Sequence, residues 1–377
     1  MFFWKKENKK NNNKKEEWFY ESLPGTNLMI TDYFTDGLLI FDKDNKIILL
    51  NPKAEEFFEV KEENVLGESI LELGRFSRFY PLVSLLGGGI KEVFRRELQI
   101  DEGFILEVTS VGILKDGARV ASLVILHDIS RDKLTQKMKT DFVTVAAHQL
   151  RTPTSAIKWS LQVLLEEDLG KLNKEQKKVL EKTYETNEKV IHLVNDLLNV
   201  AEIEEGKYLS KMVLFNIEEL VQEIIKDLKE QITEKKISLI LEKPEEQLPQ
   251  IMLDVEKMKI AIKNILDNAI KYTLSKGKVL VSLKRESEKN IIIQIQDTGV
   301  GIPFEEQDKI FTKFFRGSNI KKIDTEGTGL GLYIAKNIIE AHKGSIWFES
   351  EEGRGTTFYI TLPIKERFGE YLTGEFY

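Results

Sequence analysis

Two long helical stretches, one directly after the other, constrain the fold of this 377-residue chain more than any other feature. Over about 35 residues from Ile129, apolar residues recur at steps of three, four or seven, which predicts one apolar face along a helix: Phe142, Val145 or Ala146, Leu150, Ile157, Leu161 and Leu164. The second stretch has a heptad pattern: Leu180, Tyr184, Asn187, Ile191, Val194, Leu198 and Ala201. One antiparallel hairpin with two such faces buries too little surface alone. We therefore expect a homodimer in which two hairpins pair as a four-helix bundle, with Asn187 fixing the register.

The ends of this hairpin and the direction of one side chain also follow from the pattern. Gly170 is expected to end the first helix near Asp168, and Asn173 with Gln176 has the spacing of a capping box for the second. His148 lies two residues before Leu150, about 200° away around the helix, so it should point out of the apolar seam.

The composition excludes several classes of function. A net charge of -7 and a pI of about 5.5 argue against general nucleic-acid binding, which needs a basic surface. The chain has no cysteine, which rules out disulfides, thiolate metal sites and cysteine nucleophiles, and this fits a reducing compartment. No run approaches the ~20 apolar residues of a transmembrane segment. We therefore expect a cytoplasmic protein.

The first residues, 1–24, are basic and rich in asparagine. We expect a disordered tail. Phe2, Phe3 and Trp4 lie beside lysines, so weak peripheral contact with an anionic membrane surface is the alternative.

Residues 25–130 alternate short apolar runs with turn residues, and a helical spacing runs from Pro52 to Glu59. The Asp-Asn pair before Lys46 and the Asp-Gly pair after Lys115 are hairpin signals. Strands are predicted at 37–42, 47–51, 103–112 and 119–127. The expected fold is α+β, an antiparallel sheet with small helices on one side.

This module resembles a PAS sensory domain. The resemblance rests on the strand-turn-strand ending in Asn51, on Gly-Glu-Ser after Val65-Leu66, and on the closing run from Leu123 to Ser130. No PAS cofactor is assignable, because flavin photosensing needs a cysteine and haem binding usually takes a histidine from the middle helix. His127, on the last strand, is interpreted as a partly buried strand residue.

The hairpin is assigned to residues 131–208, and residues 209–365 are predicted to form an α/β sandwich. Predicted helices run from Asn216 to about Lys235, from Asp254 to Tyr272 and from Leu330 to His342. Predicted strands lie at 237–241, 278–284, 291–297, 345–350 and 356–362. Pro363 should mark the end of the sandwich, and no role is derived for the tail 366–377.

One helix of this region carries Asn264 and Asn268, four residues apart and so on one helical face, with Lys271 and Tyr272 one turn on. Two amide oxygens on one face suit a Mg²⁺ that takes its other ligands from water and phosphates. Such a pair is also common by chance.

Two glycine-rich segments add to this pair. Asp297, at a strand end and followed by Gly299 and Gly301, can accept a hydrogen bond from an exocyclic amine such as that of adenine, although a plain turn explains the segment too. The glycines at 327, 329 and 331 lead into a helix, where free N–H groups and the positive helix end can bind a triphosphate. A fourth segment, Gly353 to Phe358, reads alone as a hairpin turn.

In this order, the four segments are similar to the catalytic domain of sensor histidine kinases, within the superfamily that also contains gyrase and MutL ATPases. Phe311-Thr-Lys-Phe-Phe-Arg316 matches its phenylalanine-rich box, and His148-Gln-Leu-Arg-Thr-Pro153 matches its phosphoacceptor box. The resemblance covers roughly residues 129 to 363.

The resemblance implies ATP and Mg²⁺ as ligands and a role for each matching residue. Asp297 would bind the adenine amine beside Gly301 and Thr356. Asn268 with Asn264 would hold Mg²⁺, Lys271 and Arg316 would contact phosphates, and Tyr272 would pack by the base or ribose. The glycine boxes contribute Gly299, Gly327, Thr328, Gly329, Leu330 and Gly331. Residues 316–325 would form a lid. His148 would take the γ-phosphoryl group and pass it to an aspartate of a response-regulator protein.

Four positions bear on mechanism. Asn264 occupies the place where related ATPases have a water-activating glutamate, so hydrolysis should be poor. Gln149 replaces the commoner acidic residue and is a poor base, so proton release should rely on solvent or His148 itself. Thr152 occupies the place where the family positions water for dephosphorylating the regulator. Pro153 lacks an N–H and should bend the helix beside His148.

Two other readings stay open at this stage. A non-catalytic ATP-binding scaffold is disfavoured by the intact boxes, and an ATP-hydrolysing clamp is disfavoured by Asn264. Whether phosphorylation occurs in cis or in trans depends on the connection near Gly170.

Overall fold

The computed structural model describes residues 31–206, 209, 211–244, 246–320 and 327–364. The predictions for the tails 1–24 and 366–377 therefore lie outside the described residues. The chain divides into two compact units between Met138 and Lys139. Within the described ranges, no helix combines the length and apolar character that crossing a bilayer requires.

The first unit is a five-stranded antiparallel sheet with short helices. Its order is β2-β1-β5-β4-β3, so the first strand pairs with the last in the middle of the sheet. The strands are β1 Gly37–Asp42, β2 Ile47–Leu50, β3 Val93–Asp101, β4 Phe104–Lys115 and β5 Ala118–Asp128; the helices are α1 Pro52–Phe58 and α2 Tyr80–Leu86, with 3-10 turns at Glu62–Asn64 and Glu72–Arg75.

Asn51 connects the sheet to α1. Its buried Oδ1 accepts from the backbone N–H of Leu38 at 2.8 Å and of Ala54 at 3.0 Å, while Pro52 occupies the first helical turn. The amide therefore caps the helix and fixes the strand end at once, which confirms the predicted strand-turn-strand and helix. Apolar side chains including Phe41, Phe58 and Phe79 fill the core beneath.

Two features of this unit differ from expectation. Strand β3 was not predicted, because most of it is exposed at the sheet edge and its register shifts between Val93 and Arg96, which breaks the alternation. His127 lies on the last strand as expected, but the prediction that it is partly buried was wrong. Its side chain is 53% exposed, and its Nδ1 lies 2.7 Å from Asp36 Oδ1.

The two predicted long helices are α3 Ser130–Leu165 and α4 Lys174–Glu204. Helix α3 ends before Asp168, and Gly170 has a φ of 127° in the connection. The Asn173 side chain accepts from Gln176 N at 2.8 Å, and the Gln176 side chain accepts from Asn173 N at 2.9 Å. The predicted capping box is confirmed.

The inward face of α3 differs from the predicted seam. Buried positions recur every seven residues at Thr140, Ala147, Thr154 and Leu161. Of the predicted seam, only Leu161 is among them; Phe142, Val145, Leu150 and Ile157 are 74%, 60%, 47% and 47% exposed in the single chain. On α4 the predicted seam is correct, with Asn187, Val194, Leu198 and Ala201 buried. The apolar face of α3 thus turns away from its own hairpin.

The rest of the second unit is the predicted α/β sandwich. Its sheet has the order β11-β12-β10-β9-β7, with β7 and β9 parallel and the other pairs antiparallel. The elements are β6 Met212–Phe215, α5 Ile217–Asp227, α6 Lys229–Glu234, β7 Ser238–Glu242, β8 Ile251–Asp254, α7 Val255–Tyr272, β9 Lys278–Arg285, β10 Asn290–Asp297, a 3-10 turn Phe304–Lys309, α8 Gly331–Ala341, β11 Ser345–Glu351 and β12 Gly355–Pro363.

Two local predictions need correction here. The single helix expected from Asn216 to about Lys235 is broken at Leu228, which has ψ near 2° and separates α5 from α6. The small sheet of β6 and β8 was not predicted, because each strand has only four residues. Helices α5, α7 and α8 supply the apolar core that covers one face of the large sheet.

Candidate nucleotide-binding site

A cleft of about 320 Å³ opens between α7, the end of β10 and the start of α8. Most of the residues predicted for nucleotide binding line it together: Asn264, Asn268, Lys271, Tyr272, Asp297, Gly301, Arg316, Gly327, Thr328, Gly329, Gly331 and Thr356. Gly299 and Leu330 lie beside the cleft. The N–H of Gly299 donates to Asp297 Oδ1, and the N–H of Leu330 donates to Thr328 Oγ1. Segments that are far apart in the chain therefore meet at one place, as the sequence predicts.

Asp297 lies at the bottom of the cleft, at the end of β10. Its side chain is buried, and Oδ1 accepts from the N–H of Gly299 at 2.7 Å and of Thr356 at 3.3 Å. Both bonds go to Oδ1, so Oδ2 is the oxygen that can accept from a ligand. Burial raises the pKa of this carboxyl to about 6, although the two backbone N–H groups oppose the shift.

Helix α7 presents Asn264, Asp267 and Asn268 to the cleft. The Asn264 Nδ2 donates to the carbonyl of Gly331 at 3.2 Å, so its Oδ1 is the atom that can meet a cation. Asp267 Oδ1 is buried and has no hydrogen-bond partner among the described residues, and burial raises the pKa of this carboxyl. Amide oxygens beside an orphaned carboxylate oxygen are the donor chemistry that a hydrated Mg²⁺ accepts, so these residues fit the ion.

The glycine-rich segment forms the phosphate side of the cleft. Gly329 has a φ of 70°, and a Cβ there would lie 2.7 Å from the backbone carbon of Phe314, so only glycine fits. Thr328 Oγ1 accepts from the N–H of Leu330 at 3.2 Å. Helix α8 follows without a side-chain cap at its N-terminus, which leaves a positive helix end at the cleft.

Helix α4 forms a further wall of the cleft, which sequence reasoning missed. Lys189, His192 and Asp196, on one face of that helix, all line it. Thr328 Oγ1 donates to Asp196 Oδ2 at 2.9 Å. Burial raises the pKa of the Asp196 carboxyl, opposed by this hydrogen bond and by His192. The only signal in the sequence is that these three polar residues share a face beside the apolar seam.

His148, Gln149 and Thr152 lie elsewhere. All three are exposed on α3, and none of them lines the cleft. A second cleft of about 400 Å³ shares His192, Asp196, Asn264 and Asp267 with the first and reaches Arg151, one turn after His148. The exposure of His148 agrees with the predicted direction.

Comparison with known proteins identifies the family. Residues 138–206 match the model of the His Kinase A (phospho-acceptor) domain, and residues 253–366 match that of the histidine kinase-, DNA gyrase B- and HSP90-like ATPase. A sensor protein kinase WalK of Staphylococcus aureus is 30% identical over 340 residues, which are 89% of this chain and 80% of that protein. The chain belongs to the sensor histidine kinase family.

Other curated relatives are matched over only part of their length. The sensor histidine kinase WalK of Bacillus subtilis is 32% identical over 89% of this chain and 54% of its own length. The chain therefore spans about half the length of such curated relatives. Among solved structures, the Acinetobacter baumannii histidine kinase AdeS matches 58% of this chain and 98% of its own, with 26% identity and a TM-score of 0.42.

The phenylalanine-rich box of this kinase, Phe311 to Arg316, lies within the described residues. Phe315 and Arg316 line the cleft, whereas Phe314 has a φ of 61° and is 63% exposed. Lys313 pairs with Glu204 at the end of α4. The predicted lid 316–325 lies partly outside the described residues, so its role stays a prediction.

Proposed function

We propose that this chain is a homodimeric protein-histidine kinase that transfers the γ-phosphoryl group of ATP to His148 and then to an aspartate of a response regulator. The observation that carries the proposal is the convergence of Asp297, Asn268 and the glycine segment on one cleft, in a chain whose exposed His148 lies in a phosphoacceptor domain.

Each part of ATP would have a partner in the cleft. The adenine amine would donate to Asp297 Oδ2, beside Gly301 and Thr356, while Gly299 holds the other oxygen. The triphosphate would accept from the N–H groups at 327–331 and meet Lys271 and Arg316, and Tyr272 would pack by the base or ribose. Asn268 with Asn264 would hold Mg²⁺, which neutralises phosphate charge when bound.

In the transfer step, a ring nitrogen of His148 attacks the γ-phosphorus. The nitrogen–phosphorus bond forms as the bond from phosphorus to the bridging oxygen breaks, ADP leaves, and the ring stays positively charged until its other nitrogen loses a proton. Gln149 cannot take that proton usefully, so it passes to solvent or stays on the ring. Asn264 cannot activate water, which favours transfer over hydrolysis.

Transfer requires the cleft and His148 to meet, either within one chain or between two chains. The exposed apolar face of α3, with Phe142, Val145, Leu150 and Ile157, supports pairing of two hairpins. Mixed dimers of His148→Ala and Asn268→Ala chains would separate the two routes. Label appears in such dimers if transfer is in trans and is absent if it is in cis.

Three further assignments belong to this proposal. Residues 25–130 are proposed as a PAS-like sensor, supported by their antiparallel sheet with short helices. Thr152 is proposed to support dephosphorylation of the regulator, and its exposure leaves it accessible. The cytoplasmic location stays a prediction.

Incubation with γ-labelled ATP tests the proposal. We expect acid-labile, alkali-stable label on the protein, lost in His148→Ala and in Asp297→Ala, and transferable to a receiver domain. Release of free phosphate without label would indicate an ATP-hydrolysing clamp instead. ATP binding with neither outcome would indicate a scaffold.

A further inference from the structure

One wall of the nucleotide cleft belongs to the phosphoacceptor hairpin. Lys189, His192 and Asp196 are spaced three and four residues apart, so they lie on one face of α4, and all three line the cleft with Asn268 and Asp297. The nucleotide site is therefore not confined to the ATPase domain.

Packing brings this face to the cleft independently of Asp196. Val200 and Ile203, one and two turns further along α4, are buried in the apolar core of the sandwich. Glu202 pairs with Lys257 of α7, and Glu204 pairs with Lys313. The last turns of α4 are thus docked on the ATPase domain by burial and by ion pairs.

Docking of α4 places the Asp196 carboxylate against the glycine-rich segment 327–331. Asp196 Oδ2 accepts from Thr328 Oγ1 at 2.9 Å, and the same hydroxyl oxygen accepts from Leu330 N at 3.2 Å. Through the side chain of Thr328, Asp196 therefore restrains the glycine-rich segment 327–331, which is proposed to bind the triphosphate.

The electrostatics of this contact oppose a triphosphate. Charges in a partly buried cleft are screened less than charges in water, and the Asp196 carboxylate lies there. The cations Lys189, Lys271 and Arg316 also line the cleft and offset part of the repulsion.

We infer that Asp196 is a specificity-determining residue of the nucleotide site. While α4 is docked on the ATPase domain, Asp196 restrains Thr328 and disfavours binding of a triphosphate. Docking of α4 and binding of ATP therefore oppose each other. The inference rests on the proposed function, because it takes the cleft to bind ATP.

Asp196→Asn tests this in the full chain, since asparagine keeps an oxygen for Thr328 and removes the charge. Glu185→Gln is the matched control: it removes one charge from the same helix, where Glu185 forms only a surface ion pair with Lys182. The affinities for a non-hydrolysable ATP analogue with Mg²⁺ and for adenosine are measured by calorimetry.

We expect Asp196→Asn to tighten binding of the analogue about fivefold or more, with adenosine unaffected and Glu185→Gln like the wild type. An unchanged or weaker affinity for the analogue in Asp196→Asn overturns the inference. If the wild-type chain binds neither compound, the proposed function fails instead.

A second measurement uses the reciprocity of coupled equilibria. The ATP analogue should accelerate hydrogen exchange of the backbone amides at 196–204 in the wild-type chain, and adenosine should not. Equal protection with and without the analogue would show that α4 stays docked, which also overturns the inference.

Discussion

The backbone N–H of Thr356, on β12, donates a 3.3 Å hydrogen bond to Oδ1 of Asp297, at the end of the neighbouring strand β10. This bond connects the fourth segment, Gly353 to Phe358, to the second, which begins at Asp297. It explains why a segment that reads as a plain hairpin turn is part of the nucleotide cleft. It also holds a carboxylate in a place where burial makes ionisation costly.

Asp297→Asn should stabilise the protein without nucleotide, and more so at higher pH. The folded-state pKa of about 6 exceeds the ordinary 3.8, so the wild type loses stability as pH rises from about 4 through 6, whereas asparagine carries no such cost. The gain in the free energy of unfolding should be larger at pH 8 than at pH 5 by about 1 kcal/mol. Urea unfolding at both pH values measures it; a pH-independent difference would contradict the assignment.

Gln149→Glu should raise the rate of autophosphorylation at neutral pH by about tenfold or more, because a carboxylate can take the ring proton of His148. The pH profile of the rate should change with it. Gln162→Glu adds the same charge to an exposed position of α3 and should leave both unchanged. An unaltered rate and profile in Gln149→Glu would show that proton release is not limiting.

Pro153→Ala should raise the free energy of unfolding by up to about 3 kcal/mol, since proline removes a backbone donor inside α3. If α3 acts as a hinge at Pro153, the ratio of autophosphorylation to regulator dephosphorylation should change as well. Thr152 is left intact, so both activities can be assayed in one preparation. A more stable protein with an unchanged ratio would reject the hinge.

Asn187→Ala should lower the free energy of unfolding by about 1 to 2 kcal/mol. The buried Nδ2 of Asn187 donates to the carbonyl of Thr154 at 2.9 Å across the hairpin, and truncation removes this bond. Thr186→Ala, at the adjacent exposed position, is the control. Unfolding is compared at one protein concentration, because a dimer's stability depends on it. Equal losses in both variants would exclude a special role for Asn187.

Gly355→Ala should disrupt the cleft, whereas Gly353→Ala should be tolerated. Both glycines have positive φ, 106° and 80°, but a Cβ at 355 would lie 2.0 Å from the carbonyl oxygen of Asp297, and one at 353 meets nothing within 4 Å. We expect Gly353→Ala to cost about 1 kcal/mol, and Gly355→Ala to cost more and to lose nucleotide affinity. Similar nucleotide affinity in the two variants would contradict the predicted clash.

The candidate site was largely predictable because its determinants are local. Asn264 and Asn268 share a face through helical spacing alone, and Asp297 ends a strand that its apolar alternation defines. The capping box at Asn173 is equally local. By contrast, β3 escaped prediction because an exposed edge strand has no alternation to read.

The inward face of α3 could not be read from apolar spacing. Thr140, Ala147 and Thr154 are small or polar, yet they face α4 because two helices approach closely where side chains are small. The larger residues Phe142 and Ile157 stay exposed in the single chain. Hydrophobicity identifies a buried face but does not say which neighbour buries it.

Helical spacing, the glycine segments and the resemblance to sensor histidine kinases together identified, from the sequence by itself, the side chains proposed to bind a nucleotide. The helical period also predicted that His148 is presented to solvent. Only the tertiary structure decided that α4 forms a wall of the cleft and that Asp196 holds Thr328, 132 positions away. Contacts at such separation arise from the packing of Val200 and Ile203 into another domain's core, and no local pattern in the chain encodes that docking.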